Sequence, residues 1–424
     1  MIKNKYINNI LWLMTDKIIL LIGGFVVTTL VARYLGPEKL GIFSYAITLS
    51  LLCTVISQWG GNHIIFQSAS KPNNRSLRII ESTILFRSLL YLVTWLLIFA
   101  FLYIKGIDKL YVVSIICLSN FFLALDLYQY YFDGVLKSKI NVRISIYTKI
   151  TSMILKVLLV IFEMDLIFFC IPIILEGVSI FFFKRKYALT ILNEKEFNSR
   201  YLFSYVKKGI PLAISSISLF FYTKISSFLI PSIIGFNELG YFSAGITLST
   251  VWVFIPLSVG LSLLTKSFSV SDEKVRYEGF SFSILAPTLI SIPILLFIYM
   301  FSDKIVLITY GSKYKDVSEY LFYMSVTSYI SVLVLIVNRQ ITFFKGGESF
   351  LMYKVVFSCC LASLLSYFLI KKYGLSGAIL SSFIVEFLNL LVFNFLCKNY
   401  NYKLIMKNLF KIKNMFFYMR RYIK

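Results

Sequence analysis

The sequence predicts an all-α polytopic membrane protein whose 12 transmembrane helices form two parallel six-helix bundles. Three observations support this fold class: the composition, a series of long apolar runs and an internal repeat. Hydrophobic residues make up 58% of the 424-residue chain, aromatic residues 17% and charged residues only 15%. A soluble protein of this length could not bury that much apolar surface, so lipid must solvate part of it.

The apolar runs give the number of membrane spans. Each run is long enough to cross a hydrocarbon core about 30 Å thick, because a helix rises about 1.5 Å per residue. No run has the alternating pattern of a transmembrane β-barrel strand. The predicted spans are 10–33, 40–63, 79–104, 110–132, 144–164, 166–183, 209–234, 239–265, 280–301, 317–344, 350–370 and 375–397.

An internal repeat divides the chain into related halves. Residues 36–50 and 235–249 can be aligned without a gap, and nine of the fifteen pairs are identical. A repeat sets the architecture of a chain before any shorter motif does. The positions in the first copy that are identical to the second are Gly36, Leu40, Gly41, Phe43, Ser44, Ile47, Thr48, Leu49 and Ser50.

The basic residues predict the orientation. The net charge is +23, and most of the 43 lysine and arginine residues fall on one side of the predicted spans, together with both termini. Positive loops lie in the cytoplasm, so we expect both termini to be cytoplasmic. The excess charge therefore indicates topology, and we expect no nucleic-acid partner.

The two repeat-related halves and the predicted spans together indicate four regions of the chain. These are an N-terminal six-helix bundle at 1–183, a cytoplasmic linker at 184–208, a C-terminal six-helix bundle at 209–397 and a basic amphipathic cytoplasmic tail at 398–424. Six spans precede the linker, so the second half starts on the same side of the membrane as the first. Parallel repeats of this kind enclose a cleft, which is the geometry of a transporter.

Charged residues inside the spans are the candidate functional residues. A charge that faces lipid costs roughly 2.5–3.5 kcal/mol on insertion scales, so most of them must face a protein interior. Arg87, Lys156, Glu176, Lys224 and Glu386 lie too deep to reach the interface easily. We expect them to line a cavity; the alternative is a buried structural ion pair.

The remaining in-span charges lie nearer the membrane surface. Asp126, Lys149 and Arg339 are close to predicted cytoplasmic ends, where anchoring at the interface or a local ion pair is the alternative reading. Asp16 lies one to two helical turns inside the first span. On the seventh span, Ser215, Ser218, Tyr222 and Ser226 form a polar stripe.

Residue type divides these candidates into two roles. The bases exceed the acids within the spans, which favours an anionic cargo, and the acids could balance charge or carry a coupling proton. The substrate-binding candidates are Arg87, Lys149, Lys156, Lys224 and Arg339. The candidates for coupling or charge balance are Asp16, Asp126, Glu176 and Glu386.

Motifs for chemistry are missing from the sequence. There is no P-loop, no Gly-x-Ser-x-Gly and no cluster with metal-ligand spacing, and the six cysteines lie in or beside apolar runs as small helix residues. The lone histidine is His63, at the end of the second span. We therefore expect no cofactor, no metal and no catalytic residue: the chain moves a substrate and is not an enzyme.

Four stretches resemble a known family. They are ARYLGPEKLGIFSYA at 32–46, DLYQYYFDGVLKSK at 126–139, KKGIPLAISSI at 207–217 and KKYGLSGAILSS at 371–382. In order and spacing they are similar to the Wzx-type O-antigen and polysaccharide flippases of the polysaccharide-transporter family. The second stretch departs from the family pattern because it lacks a tryptophan.

The resemblance implies a function. Family members move an undecaprenyl-pyrophosphate-linked oligosaccharide, typically an O-antigen repeat unit, across the bacterial inner membrane by alternating access. The implied partners are that lipid-linked substrate and membrane lipids, with a polysaccharide polymerase and a chain-length regulator as further candidates. The alternatives are a multidrug or metabolite antiporter of the same superfamily and a membrane glycan polymerase or ligase.

Overall fold

The computed structural model describes residues 2–71, 75–104, 106, 109–191 and 198–409, with side chains from residue 23 onward. Within these ranges the ordered secondary structure is helical, and no strand is present. The α-helices are α1 Ile2–Gln58, α2 Gly61–Ala69, α3 Arg75–Ile104, α4 Leu110–Ser119, α5 Phe121–Ala124, α6 Tyr128–Gly134, α7 Ser138–Ile161, α8 Cys170–Leu189, α9 Ser199–Ile233, α10 Phe236–Val251, α11 Phe254–Phe268, α12 Glu273–Thr309, α13 Val317–Ile341, α14 Gly347–Leu391 and α15 Tyr402–Leu409.

Eight helices in the described ranges are long and apolar enough to cross a membrane, or up to ten if each of two bent helix pairs is one span. The all-α polytopic membrane fold predicted from the sequence is thereby confirmed. The count of twelve and the two six-helix bundles stay predictions. Three of the long helices contain a residue with non-helical dihedral angles: Gly36 in α1, Phe301 in α12 and Gly374 in α14.

The internal repeat reappears in the backbone. Gly36 has φ 73° and ψ 172°, and Gly235, its counterpart, has φ 110° and ψ 171°. Positive φ strains a residue that carries a Cβ, so a glycine is needed at both positions. The two copies also end alike, because Ser50 Oγ donates to Ile47 O at 2.8 Å and Ser249 Oγ donates to the equivalent carbonyl at 3.0 Å.

Replacing either glycine by alanine is expected to lower the free energy of unfolding by about 1–3 kcal/mol, because positive φ with ψ near 170° is a conformation essentially restricted to glycine. A Cβ at Gly36 or Gly235 would meet no atom within 4 Å, so the cost is that of the backbone conformation alone. Gly24→Ala is the matched control: its Cβ would lie 3.6 Å from Met153 Cε, an ordinary contact. Reversible denaturation in mixed detergent micelles, followed by circular dichroism, measures the difference. Equal stability of Gly36→Ala and Gly24→Ala would contradict the assignment.

The chain divides into two compact units, residues 1–220 and 221–424. The division falls inside α9, and the predicted regions at 1–183, 184–208, 209–397 and 398–424 stay a prediction. In the first unit, α2, α3, α6 and α8 enclose a core of aliphatic and aromatic side chains. Its fully buried members include Ile65, Leu77, Ile80, Leu127, Tyr128 and Phe132.

The second unit has its core among α11, α12, α13 and α15. Phe280, Ile336, Val337 and Ile341 are fully buried there, and Ile405 of α15 packs against them. Ser281 Oγ lies 3.1 Å from the backbone oxygen of Ile405, which ties α15 to α12. The predicted amphipathic tail is therefore docked on the protein over Tyr402–Leu409, and its remainder lies outside the described residues.

All six cysteines are free thiols. Cys53, Cys117 and Cys170 are buried in the first unit and Cys397 is buried in the second, whereas Cys360 is exposed. Their burial matches the sequence interpretation that they act as small helix residues.

Candidate functional site

A cavity of about 210 Å³ lies inside the second unit, between α9, α10, α13 and α14. Its walls are rich in hydroxyl groups and carry one basic and one acidic side chain, Lys224 and Glu386. The hydroxyl-bearing residues that line it are Tyr222, Thr223, Ser249, Thr250, Thr327, Ser328, Ser331, Ser366, Ser381 and Ser382. Such a lining can hydrogen-bond a polyhydroxylated or phosphorylated group. We call this space the polar cavity.

Lys224 is the cationic side chain of the polar cavity. It lies on α9, half-buried, two residues after Tyr222 on the same helix. Within the described part of the chain no carboxylate forms an ion pair with it. A half-buried ammonium group without a carboxylate partner attracts anions from outside the protein.

Glu386 is the acidic side chain of the same cavity. It lies on α14 after the break at Gly374, beside Tyr222 and Ser331. Its Oε2 atom is buried and has no hydrogen-bond partner among the described residues. A carboxyl oxygen in that position is costly unless a proton or an arriving group satisfies it.

A second buried base, Lys354, lies on the same helix as Glu386. Its Nζ donates to Asn338 Oδ1 at 2.9 Å and to Asn394 Oδ1 at 2.8 Å. Farther along α14, Ser358 Oγ lies 2.9 Å from Asn389 Oδ1, and Asn389 Nδ2 donates to the hydroxyl of Tyr222 at 3.2 Å. Lys354 is close enough to Glu386 to act on it electrostatically, although among the described residues no hydrogen bond joins the side chain of Lys354 to that of Ser358, Asn389 or Tyr222.

The first unit holds a separate cluster of charges. Asp126 is buried in an ion pair with Lys184, with 2.6 Å between Lys184 Nζ and Asp126 Oδ2. Next to it, Arg185 Nη2 lies 2.8 Å from Glu81 Oε2, and the hydroxyl of Tyr128 donates to Glu81. Asp126 thus forms the local ion pair that was the alternative to a coupling role.

Arg87 belongs to this first-unit cluster. It is fully buried, and its guanidinium donates to Leu125 O at 2.9 Å and to Ile80 O at 3.3 Å. The bond to Leu125 holds α3 to the segment that follows α5, and the bond to Ile80 stays within α3. A direct contact between Arg87 and substrate stays a prediction.

The other predicted residues lie apart from the polar cavity. Lys149 and Lys156 are half-buried on α7, and Glu176 on α8 is close enough to Lys156 to act on it electrostatically without forming an ion pair. Arg339 is exposed in the last turn of α13. The side chain of Asp16 lies outside the described residues. Of the nine predicted residues, the structure brings Lys224 and Glu386 together in the polar cavity, while Arg87 lies near Asp126 and Lys156 lies near Glu176 in the first unit.

Two features were missed from the sequence. Lys184 was assigned to the linker, because it opens the basic run Lys184–Lys186, yet it is buried in α8. The two side-chain amides that accept hydrogen bonds from Lys354, those of Asn338 and Asn394, were also missed, since asparagine is uncharged and the sequence prediction rests on charged residues. The stripe on the seventh span was a usable signal: Tyr222 lines the polar cavity, and Ser226 Oγ lies 3.4 Å from Ser366 Oγ.

No group of three or more metal-ligating side chains occurs in the part of the chain that the structure describes. The chemistry of the polar cavity is therefore that of hydroxyl groups, one ammonium group and one carboxyl group.

Comparison with known proteins gives both a family and a fold. Residues 30–319 match a family model described as polysaccharide biosynthesis protein. A search of curated proteins gave no match.

Solved structures are similar over nearly the whole chain. Lipid II flippase MurJ in an inward closed conformation has a TM-score of 0.68 at 15% identity and covers 96% of this chain and 92% of its own. An inward-facing multidrug resistance MATE family transporter of the MOP superfamily has a TM-score of 0.65 at 12% identity, covering 94% and 99%. The eukaryotic MATE transporter AtDTX14 has a TM-score of 0.55 at 14% identity, covering 95% and 99%. At these identities the likeness shows the fold.

Proposed function

The chain belongs to the polysaccharide biosynthesis protein family, and we propose that it is a flippase for a lipid-linked oligosaccharide. The matched residues, 30–319, include three of the four stretches that resemble polysaccharide flippases, those at 32–46, 126–139 and 207–217. The proposed cargo is an undecaprenyl-pyrophosphate-linked O-antigen repeat unit, moved across the bacterial inner membrane. Support comes from the family, from a fold similar to a lipid flippase and to transporters, and from the polar cavity. The same comparisons favour a transport protein over an enzyme.

The observation that carries this proposal is Lys224 in the polar cavity. Its ammonium group has no ion-pair partner among the described residues, and residues with hydroxyl groups line the same cavity. The ammonium group attracts the pyrophosphate or an acidic sugar, while serine and threonine hydroxyls exchange hydrogen bonds with sugar hydroxyls. A cationic drug gains nothing from this base.

Glu386 is the proposed coupling residue. A proton or cation that binds its buried carboxyl group would change the charge of the polar cavity and bias the exchange between inward-open and outward-open states. Lys354, which is close enough to Glu386 to act on it electrostatically, gives this charge a partner within the same unit. Glu176 would take this role in the first unit, where Lys156 lies near it.

The topology follows the same proposal. Counting the two sides of Gly36 and of Gly374 as separate spans raises the ten possible spans to the predicted twelve. With the basic loops in the cytoplasm, both termini lie inside the cell. A polysaccharide polymerase and a chain-length regulator are the proposed protein partners.

Complementation tests the function. A strain that lacks its own flippase for the matching glycan receives this gene, and its surface polysaccharide is separated on a gel. We expect the glycan to return. We expect Lys224→Gln to lower the amount roughly tenfold, because a charge-assisted contact to the substrate is lost. Lys224→Arg should retain most of the activity because it keeps the charge.

Lys266→Gln is the matched control, since Lys266 is an exposed base of the same unit outside the polar cavity. Equal export by Lys224→Gln and the unchanged protein, at equal membrane levels, would remove Lys224 from the mechanism. If lipid-linked single units already lie outside the cell without this gene, but are unpolymerised, the chain is a polymerase instead.

A multidrug antiporter is the second candidate. The similarity to a multidrug resistance MATE family transporter favours it, and Glu386 could hold a cation. Resistance to cationic compounds on expression, without any restored glycan, would establish this function in place of the flippase.

A further inference from the structure

A second cavity, of about 780 Å³, lies in the second unit against the polar cavity. It is a groove between α13 and residues 373–383 of α14, and its walls are mostly aromatic and aliphatic. Tyr323, Tyr373 and Leu380 are 61%, 51% and 42% exposed, so the groove opens at the protein surface. We call it the apolar groove.

The apolar groove and the polar cavity share a wall. Thr327 and Ile379 line both spaces, one from α13 and the other from α14. Hydroxyl groups and Lys224 of α9 line the polar cavity, and Phe322 and Phe383 line the apolar groove. The two spaces thus offer, side by side, the surroundings that suit a polar head and an apolar chain.

We propose that the apolar groove holds the isoprenoid chain of the substrate while the polar cavity holds its pyrophosphate and glycan. This inference rests on the proposed flippase function. The link between chain and pyrophosphate then lies at Thr327 and Ile379. Moving the isoprenoid chain from the bilayer into the groove gives no hydrophobic gain, because lipid tails are as apolar as the groove. The groove therefore holds the chain through van der Waals contacts with its aromatic rings.

Charge favours one direction of the substrate, because among the described residues the apolar groove is lined by a carboxylate and no base, whereas the polar cavity holds Lys224 as well as Glu386. Glu319, in the first turn of α13, is a wall residue of the apolar groove, and Lys224 lies in the polar cavity. The carboxylate repels a pyrophosphate, and the ammonium group attracts it. The substrate therefore lies with its pyrophosphate toward Lys224 and its chain in the groove.

The test is binding to the full-length protein in nanodiscs, with two probes. Undecaprenyl pyrophosphate carries both the chain and the anion, whereas inorganic pyrophosphate carries only the anion. Ser376→Trp fills the apolar groove, because Ser376 is exposed on its wall. Leu364→Trp puts the same ring on an exposed position of the same helix outside the groove. Lys224→Gln removes the anion site.

We expect Ser376→Trp to weaken binding of undecaprenyl pyrophosphate about tenfold, the effect of several lost ring and aliphatic contacts, while inorganic pyrophosphate binds unchanged. Leu364→Trp should change neither affinity, and Lys224→Gln should weaken both. Leu380→Ser, which removes groove surface without adding bulk, is the second variant if Ser376→Trp does not fold. It should weaken the same probe in the same direction.

Three outcomes separate the ideas. In the first outcome, both groove variants bind undecaprenyl pyrophosphate as well as the unchanged protein does, while Lys224→Gln binds both probes more weakly. This result overturns the proposed role of the groove and leaves the proposed function standing. No binding of undecaprenyl pyrophosphate to the unchanged protein overturns both. Displacement of this probe by an equal concentration of phosphatidylethanolamine shows that the groove holds bilayer lipid, and the proposal fails.

Discussion

Replacing Lys184 by methionine should lower the free energy of unfolding by about 3–5 kcal/mol, because the change leaves a buried carboxylate without its partner. Asp126 is 5% exposed, and 2.6 Å separates its Oδ2 from Lys184 Nζ. The remaining bond to Asp126, from the backbone N–H of Tyr128 at 3.1 Å, cannot neutralise the charge. Reversible denaturation in mixed micelles measures the loss.

The double variant Lys184→Met with Asp126→Asn should recover most of that stability, since a neutral amide needs no counter-charge. The matched control is Lys39→Met. Its pair with Asp165 spans 3.6 Å, and both side chains are more than half exposed, so its loss should stay below about 1 kcal/mol. If the double variant is no more stable than Lys184→Met alone, Lys184 acts through packing and not through charge.

Glu386→Gln should lower glycan export by about 5- to 150-fold, the range of a typical coupling free energy between two sites. Glutamine keeps the size of the side chain and its contacts with Tyr222 and Ser331 but cannot exchange a proton. Binding of inorganic pyrophosphate should be retained or tightened, because a negative charge near Lys224 has been removed. Lower glycan export with retained pyrophosphate binding would show that Glu386 couples the transport cycle and does not bind the substrate directly.

The measurement combines export in the complemented strain with pyrophosphate binding to the purified protein. Glu348→Gln is the control, since Glu348 is exposed in the first turn of α14, the helix that also carries Glu386. Equal export by Glu386→Gln and Glu348→Gln would show that Glu386 serves only to balance charge. Loss of pyrophosphate binding in Glu386→Gln would show instead that the carboxyl group supports the shape of the polar cavity.

The fold was predictable because it depends on local sequence. Length and apolarity of the runs indicate helices in lipid, and Gly36 and Gly235, the paired glycines of the repeat, have the same unusual backbone conformation. The arrangement of the candidate site depends on which helices pack against one another. Because Lys224 and Arg87 both lie deep in a predicted span, the sequence predicts that both line a cavity. In the structure Lys224 lines the polar cavity, whereas Arg87 donates to backbone carbonyl groups.

Lys184 shows why the rest was not predictable. It begins a run of three basic residues at the end of an apolar stretch, which is the usual composition of a cytoplasmic loop. Lys184 is buried because it forms an ion pair with Asp126, which lies 58 residues earlier in the chain. No periodicity within either segment carries that information.

The cysteines make the unfolding of each unit separately observable. Three buried thiols, Cys53, Cys117 and Cys170, belong to the first unit, and Cys397 is the buried thiol of the second. A thiol reagent modifies a buried cysteine only when its surroundings open, so the rate of labelling reports local opening. Mass spectrometry of labelled peptides would then show, from native side chains alone, which unit opens first and whether substrate delays it.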